Sequence, residues 1–177
     1  MINLPAAALV LLIGASGSGK STFAARHFAP DAVVSSDQLR GLLSGDAGDQ
    51  QATEAAFGRL HEWLDARLAA GMFAVVDATN SDWMRRAALI GQAARHGRPA
   101  IGIAFDLPLD LCLRHNAARP RTVRVAVIRR QHEAVRRDLD RLDLEGFTAV
   151  YIFRTEDDIR EIVIQIERGP VSRALSS

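Results

Sequence analysis

Short runs of consecutive apolar residues punctuate the chain at 9–13, 32–34, 73–76, 100–105 and 149–153. Their hydrophobicity is continuous instead of alternating, which is the pattern of strands buried on both faces. Between these runs, apolar residues recur at helical spacing. Over 53–70, Ala56, Leu60, Trp63, Leu64 and Leu68 form one stripe, and Gly71 supplies the stop. Over 123–144, Ile128, Val135, Leu139 and Leu142 share a face, and Gly146 ends the pattern. Strand and helix therefore alternate. The expected fold is α/β, with right-handed crossovers that cover both sides of a parallel sheet with helices and leave ligands to the carboxyl ends of the strands. No internal repeat interrupts the pattern, and only 44–51 and 169–177 have linker-like composition. One domain is expected over 1–168, followed by a tail.

Composition narrows this picture. Of 177 residues, 48% are hydrophobic and 24% charged, enough for one globular enzyme domain with a core. A single cysteine, Cys112, excludes an internal disulfide framework and a cysteine-only metal cage, and makes a reducing cytosol the expected compartment. The apolar run at 9–13 is too short to span a bilayer and lacks the basic flank of a signal peptide, so no membrane association is expected. The five histidines show no paired metal spacing and read as structural, and Trp63 and Trp83 have the spacing of helix packing positions.

Net charge is only +1, but it is unevenly spread. From Arg114 to Arg141 there are nine arginines against three acids, Glu133, Asp138 and Asp140, an excess of six. Such a cluster suits phosphate groups, although each arginine taken alone reads as solvated surface. Twenty-one of the twenty-two basic residues are arginine, and the only lysine is Lys20.

That lysine has a chemical reason to be there. Directly after the first apolar run comes Gly14-Ala15-Ser16-Gly17-Ser18-Gly19-Lys20-Ser21-Thr22, a full match to the phosphate-loop pattern between a strand and a helix. The glycines let backbone N–H groups converge on phosphate oxygens, and the helix opening at Gly19 adds its positive end. Lys20 then reaches the β- and γ-phosphates of ATP or another NTP, and Ser21 is the expected protein ligand of Mg²⁺. The nucleotide-binding set is Gly14, Ser16, Gly17, Ser18, Gly19, Lys20, Ser21 and Thr22. Switches, motors and kinases share this loop, so it does not name a reaction.

The later strand ends bear on the reaction. After the second apolar run, Asp37 stands where an acceptor hydroxyl would approach, as a general base or as a helix N-cap. Arg40, three residues on, lies near the same helical face and is suited to hold a phosphate beside that hydroxyl. Asp77 closes the third strand, either assisting Mg²⁺ or capping. Thr79 and Asn80 either contact the acceptor or cap the helix that starts near Asp82. The segment 111–121 reads as a short helix leading into an arginine-bearing lid, with Arg119 and Arg121 positioned to neutralise transition-state charge and exclude water.

Taken together, GASGSGKST, SSDQLR, VVDATN, the Arg119-Pro120-Arg121 lid leading to VIRRQ, and EGFTAVYIF resemble the kinase domain of bacterial polynucleotide kinase-phosphatases, from about residue 9 to 166. The resemblance implies an adenylate-kinase-like P-loop kinase fold: a three-layer sandwich whose five parallel strands run in the order 2-3-1-4-5, with a short helical lid. It implies transfer of the γ-phosphate of ATP to the 5′-OH end of RNA or DNA, single-stranded or frayed, in nucleic-acid repair. Lys20 and Ser21 match the family's loop residues, Asp37 its general base and Arg40 its acceptor-phosphate arginine. Arg119 and Arg121 register against the lid pattern in two ways. Family kinases commonly sit beside phosphatase or ligase-like domains, which this chain has no room for, so associated repair domains are the expected partners. A small-metabolite kinase is the alternative, and a P-loop NTPase switch a further one.

Overall fold

The computed structural model describes residues 1–35 and 50–167, excepting the side chains of 50–54. The five apolar runs become β2 (Leu9–Ile13), β3 (Val33–Ser35), β4 (Ala74–Asp77), β5 (Ala100–Phe105) and β6 (Ala149–Phe153). They form one parallel sheet in the order β3-β4-β2-β5-β6. Counted among these five strands alone, that is the expected 2-3-1-4-5, and the chain has a P-loop kinase fold.

Central strand β2 shows why its sequence does not alternate. Leu9, Leu11 and Ile13 point into one core with Leu60, Leu64, Leu68, Leu89 and Val135, while Val10 and Leu12 point into another with Phe23, Phe28, Ile103 and Phe105. The first core is closed by α2 (Gln50–Ala69), α3 (Trp83–Arg95) and α5 (Val125–Asp138), and the second by α1 (Lys20–His27). Phe23 anchors α1 by stacking against Phe105 at 5.3 Å and Phe153 at 5.6 Å between ring centroids. Such pairs add to plain burial because ring edges meet ring faces.

Helix ends follow local chemistry. At the end of α2, Gly71 takes φ 69°, and Met72 N–H donates to Arg67 O at 2.9 Å, the six-to-one closure that glycine permits. Asp82 caps α3 by accepting from Met84 N at 2.9 Å. The stretch expected as one helix over 123–144 is divided: α5 ends at Asp138, and Leu139–Leu144 tightens into a 3₁₀ helix that stops before Gly146, φ 98°. The tighter winding carries Glu145 back toward Asp138, where both meet one guanidinium.

That guanidinium is Arg86 of α3, which is completely buried. It donates to Glu145 through Nε and Nη2, to Asp138 at 2.9 Å, and to the Asn80 carbonyl at 2.8 Å. Burial alone would lower its pKa, but the bonds to Glu145 and Asp138 outweigh that and raise it, so Arg86 stays charged. A second, two-stranded sheet was not anticipated. β1 (Ile2–Leu4) pairs in parallel with β7 (Ile164–Ile166), the latter following the remaining helices α4 (Leu109–Ala117) and α6 (Glu156–Glu161). Among the described residues no helix is long and apolar enough to cross a membrane.

Arg86→Met should strand two carboxylates against the core and lower unfolding free energy by about 3 kcal/mol in a denaturant titration. The Asp138 carboxyl is raised by burial, but its bonds to Arg86 and Arg137 carry it below the ordinary value. Its contribution is therefore complete above the unfolded carboxyl pKa and is lost as pH falls through the lower folded value. In an acid titration Asp138→Asn should flatten that part of the stability curve.

Candidate functional site

The carboxyl end of β2 runs straight into the phosphate loop. At Gly14 a Cβ would lie 2.6 Å from Ser18 Oγ and 3.1 Å from Phe105 Cβ, so the turn admits no side chain. Gly14 N–H donates to Thr79 O at 2.9 Å, which ties the loop to the segment after β4. Gly17 has φ 86°, and a Cβ there would fall 2.1 Å from Cys112 O on α4. Gly19, φ 89°, precedes α1, which has no side-chain cap and no acid in its first turn. Its leading N–H groups thus form an electropositive end at the loop.

Lys20 is 7% exposed and bends over this loop, donating through Nζ to Ala15 O at 2.8 Å and to Ser18 Oγ at 3.3 Å. Ser18 is fully buried, Ser16 partly so, and Ser21 and Thr22 are exposed at the start of α1. Asp77 is the last residue of β4, 7% exposed, and stands in register with Leu12 of β2 and Ser35 of β3. The side-chain-free cradle, the lysine and the helix end fit a nucleotide triphosphate. Ser21 and Asp77 fit a Mg²⁺ ion carried largely by phosphate oxygens and water.

Asn80 is used by the structure itself. It is buried at φ 45°, and its Nδ2 donates to Leu12 O at 2.7 Å, while Asp82 supplies the helix cap. Thr79 is half-buried, with its carbonyl on Gly14 N–H. Arg119 and Arg121 lie exposed on the turn between α4 and α5. That turn is pinned at both ends by Asn116, whose Nδ2 donates to Val123 O and whose Oδ1 accepts from Val123 N, each at 2.9 Å. Asp37 and Arg40 fall outside the described residues.

A family model described as an AAA domain, AAA_33, matches residues 9–142, well over half of the chain. The chain belongs to the AAA_33 family of AAA domains. No curated protein sequence matches it significantly. Among solved structures it is similar to a chain of the Pnkp1/Rnl/Hen1 RNA repair complex, with TM-score 0.68 and 20% identity over 81% of this chain and 48% of the other. It is also similar to a sugar kinase from Janibacter sp. HTCC2649, with TM-score 0.58 and 18% identity over 88% and 87%. A gluconokinase from Sinorhizobium meliloti 1021 matches with TM-score 0.56 and 17% identity over 90% and 89%. At these identities the likeness is one of fold. This AAA domain spans about half the length of the repair-complex chain.

Several residues that hold the loop of this AAA domain were not singled out from the sequence. Gln131 of α5 accepts from Ser16 N–H at 3.0 Å. His115 of α4 donates through Nδ1 to Gly17 O at 2.9 Å, and its Nε2 lies 3.3 Å from Glu156. Both are ordinary polar residues within helices, and only the fold brings them to the loop. Asp106, just after β5, lies 3.8 Å from Arg136 and from Arg154, and its buried Oδ1 has no hydrogen-bond partner among the described residues. Cys112 is buried in a small core with Ala15, Leu107 and Ile128, and burial pushes its thiol up against the pull of Lys20.

Gly17→Ala requires both a left-handed alanine and displacement of Cys112 O. It should weaken binding of a fluorescent ATP analogue more than tenfold, while far-UV circular dichroism keeps its native shape.

Proposed function

We propose that the chain transfers the γ-phosphate of ATP to the 5′-OH end of RNA or DNA in nucleic-acid end repair. The observation that carries this reading is the state of the arginines on α5 and on the turn that leads into it. Arg119, Arg121, Arg124, Arg129 and Arg130 are exposed and form no ion pair with a described residue, whereas Arg114 is bound to Asp110 and Arg137 to Asp138. A row of exposed guanidiniums without ion pairs among the described residues, leading along the helix whose Gln131 meets the phosphate loop, suits a polyanionic acceptor more than a single small alcohol. The motif resemblance supports the same acceptor, and the fold shared with a chain of an RNA repair complex is compatible with it.

In this reading Lys20 and the loop N–H groups hold the β- and γ-phosphates. Asp37 orients the 5′-hydroxyl and accepts its proton as the new P–O bond forms and the bond to the β-phosphate oxygen breaks. Arg40 holds the 3′-phosphate of the terminal nucleoside, and Arg119 or Arg121 closes over the departing charge. Mg²⁺, when bound with the nucleotide, supplies positive charge at the transferred group, and Ser21 and Asp77 are the residues that would hold it. Repair domains acting beside this one, in the cytoplasm, complete the proposal.

A second reading, a small-metabolite kinase, is supported by the fold shared with a sugar kinase over 88% of this chain. Labelled γ-phosphate separates the readings: it should appear on 5′-OH oligonucleotides. Label found only on a sugar or similar alcohol would establish the second reading, and label released only as inorganic phosphate would indicate a switch. Asp37→Ala should abolish transfer and leave the NTP dissociation constant nearly unchanged. Residual transfer close to wild type would remove Asp37 from the base role.

A further inference from the structure

A cleft of about 490 Å³ separates the start of α3 from α5, lined by Ser81, Trp83, Val127, Arg130, Gln131 and Arg137 among others. Sequence spacing made Trp83 a packing residue, but the structure leaves it 56% exposed at the first position of α3, with Met84 beside it 61% exposed. An indole so placed adds little to the core and offers a flat apolar face to solvent.

The cleft begins at the catalytic loop. Gln131 both lines it and accepts from Ser16 N–H at 3.0 Å. On the opposite wall Ser81 directly follows Asn80, whose amide is fixed to Leu12 O at the end of the loop-bearing strand. The charge of the cleft is positive. Arg130 is exposed with no ion pair among the described residues, and exposed Arg137 meets only Asp138, which Arg86 also holds. The acid in the lining, Asp82, is occupied in capping Met84 N at 2.9 Å and lies 3.8 Å from Arg85.

We propose that this cleft holds the single-stranded stretch of the acceptor just behind its 5′ end, with a base stacked on Trp83 and backbone phosphates on Arg130 and Arg137. The inference rests on the polynucleotide reading above and adds a site to it. An aromatic face on one wall and two guanidiniums about two turns apart on the other offer partners for both the bases and the phosphates of a strand, and stacking of this kind accepts any base. A lone anion would use one arginine and leave the indole idle.

The test compares acceptors of increasing length, from a nucleoside 3′-phosphate to a ten-nucleotide 5′-OH single strand. In the wild type KM should fall as nucleotides are added. Trp83→Ala should raise the ratio of oligonucleotide KM to nucleoside 3′-phosphate KM roughly tenfold with kcat held, and Trp83→Phe should restore most of it. Arg130→Ala should reduce the slope of log affinity against log salt by about 0.7. Titrating the same oligonucleotide without NTP should quench tryptophan fluorescence in the wild type and not in Trp83→Phe. Transfer to oligonucleotides that is indifferent to both Trp83→Ala and Arg130→Ala, or an absence of quenching, overturns the site while leaving the kinase reading intact. Absence of transfer to any 5′-OH nucleic acid overturns both, which distinguishes the two failures.

Discussion

A single buried guanidinium sets the register between the two walls of the site. Arg86 reaches Asp138 at the end of α5, Glu145 beyond the 3₁₀ turn, and the carbonyl of Asn80 after β4. Taking these charges out of water is costly, and replacing all three charged residues together by apolar ones of similar volume would serve stability as well. What the ionic arrangement supplies is direction. Four bonds of fixed geometry to three partners admit one placement of α5 and of the turn after β4 relative to α3.

The turn after β4 shows what that placement accomplishes. Asn80 is a non-glycine residue at φ 45°, a conformation that costs free energy unless its surroundings impose it. Arg86 takes its carbonyl, and Leu12 O takes its side chain. With Asn80 so fixed, Thr79 O presents itself to Gly14 N–H, and Asp77 closes β4 in register with Leu12. The same guanidinium holds the end of α5, the helix from which Gln131 meets Ser16 and His132 meets Leu107 O at 3.0 Å. The loop is thus shaped by two scaffolds that converge on it as well as by its own glycines.

This division explains what the sequence disclosed and what it withheld. Continuous apolar runs read as doubly covered strands, so the parallel sheet and its layers were legible, as were the stops at Gly71 and Gly146. Each of those signals is local. Arg86 looks like any of the twenty-one arginines, and its role depends on partners 52 and 59 residues away. The break between α5 and the 3₁₀ turn has the same origin, since hydrophobic period alone continues through it. Trp83 misled for the opposite reason: helical spacing says which residues share a face, but not whether another element covers it. The three-residue strands β1 and β7 are too short to carry a pattern, and Asp37 and Arg40 lie in a stretch whose chemistry remains a matter of motif.

The acceptor problem follows from the same geometry. Kinases of this fold share the loop, the lysine and the acid beside it, so none of these can distinguish a sugar from a nucleic-acid end. Discrimination has to come from elements the loop does not dictate, namely the segments after β3 and β4 and the helices α4 and α5. In those helices and the turn between them the arginines divide into two kinds. Arg114 and Arg137 are matched by neighbouring carboxylates, while Arg119, Arg121, Arg124, Arg129 and Arg130 are not. Unmatched like charges held along one short stretch repel one another, and folding gains nothing from their proximity. In the proposed polynucleotide reading an extended anion relieves that repulsion on binding, which a small neutral alcohol does not.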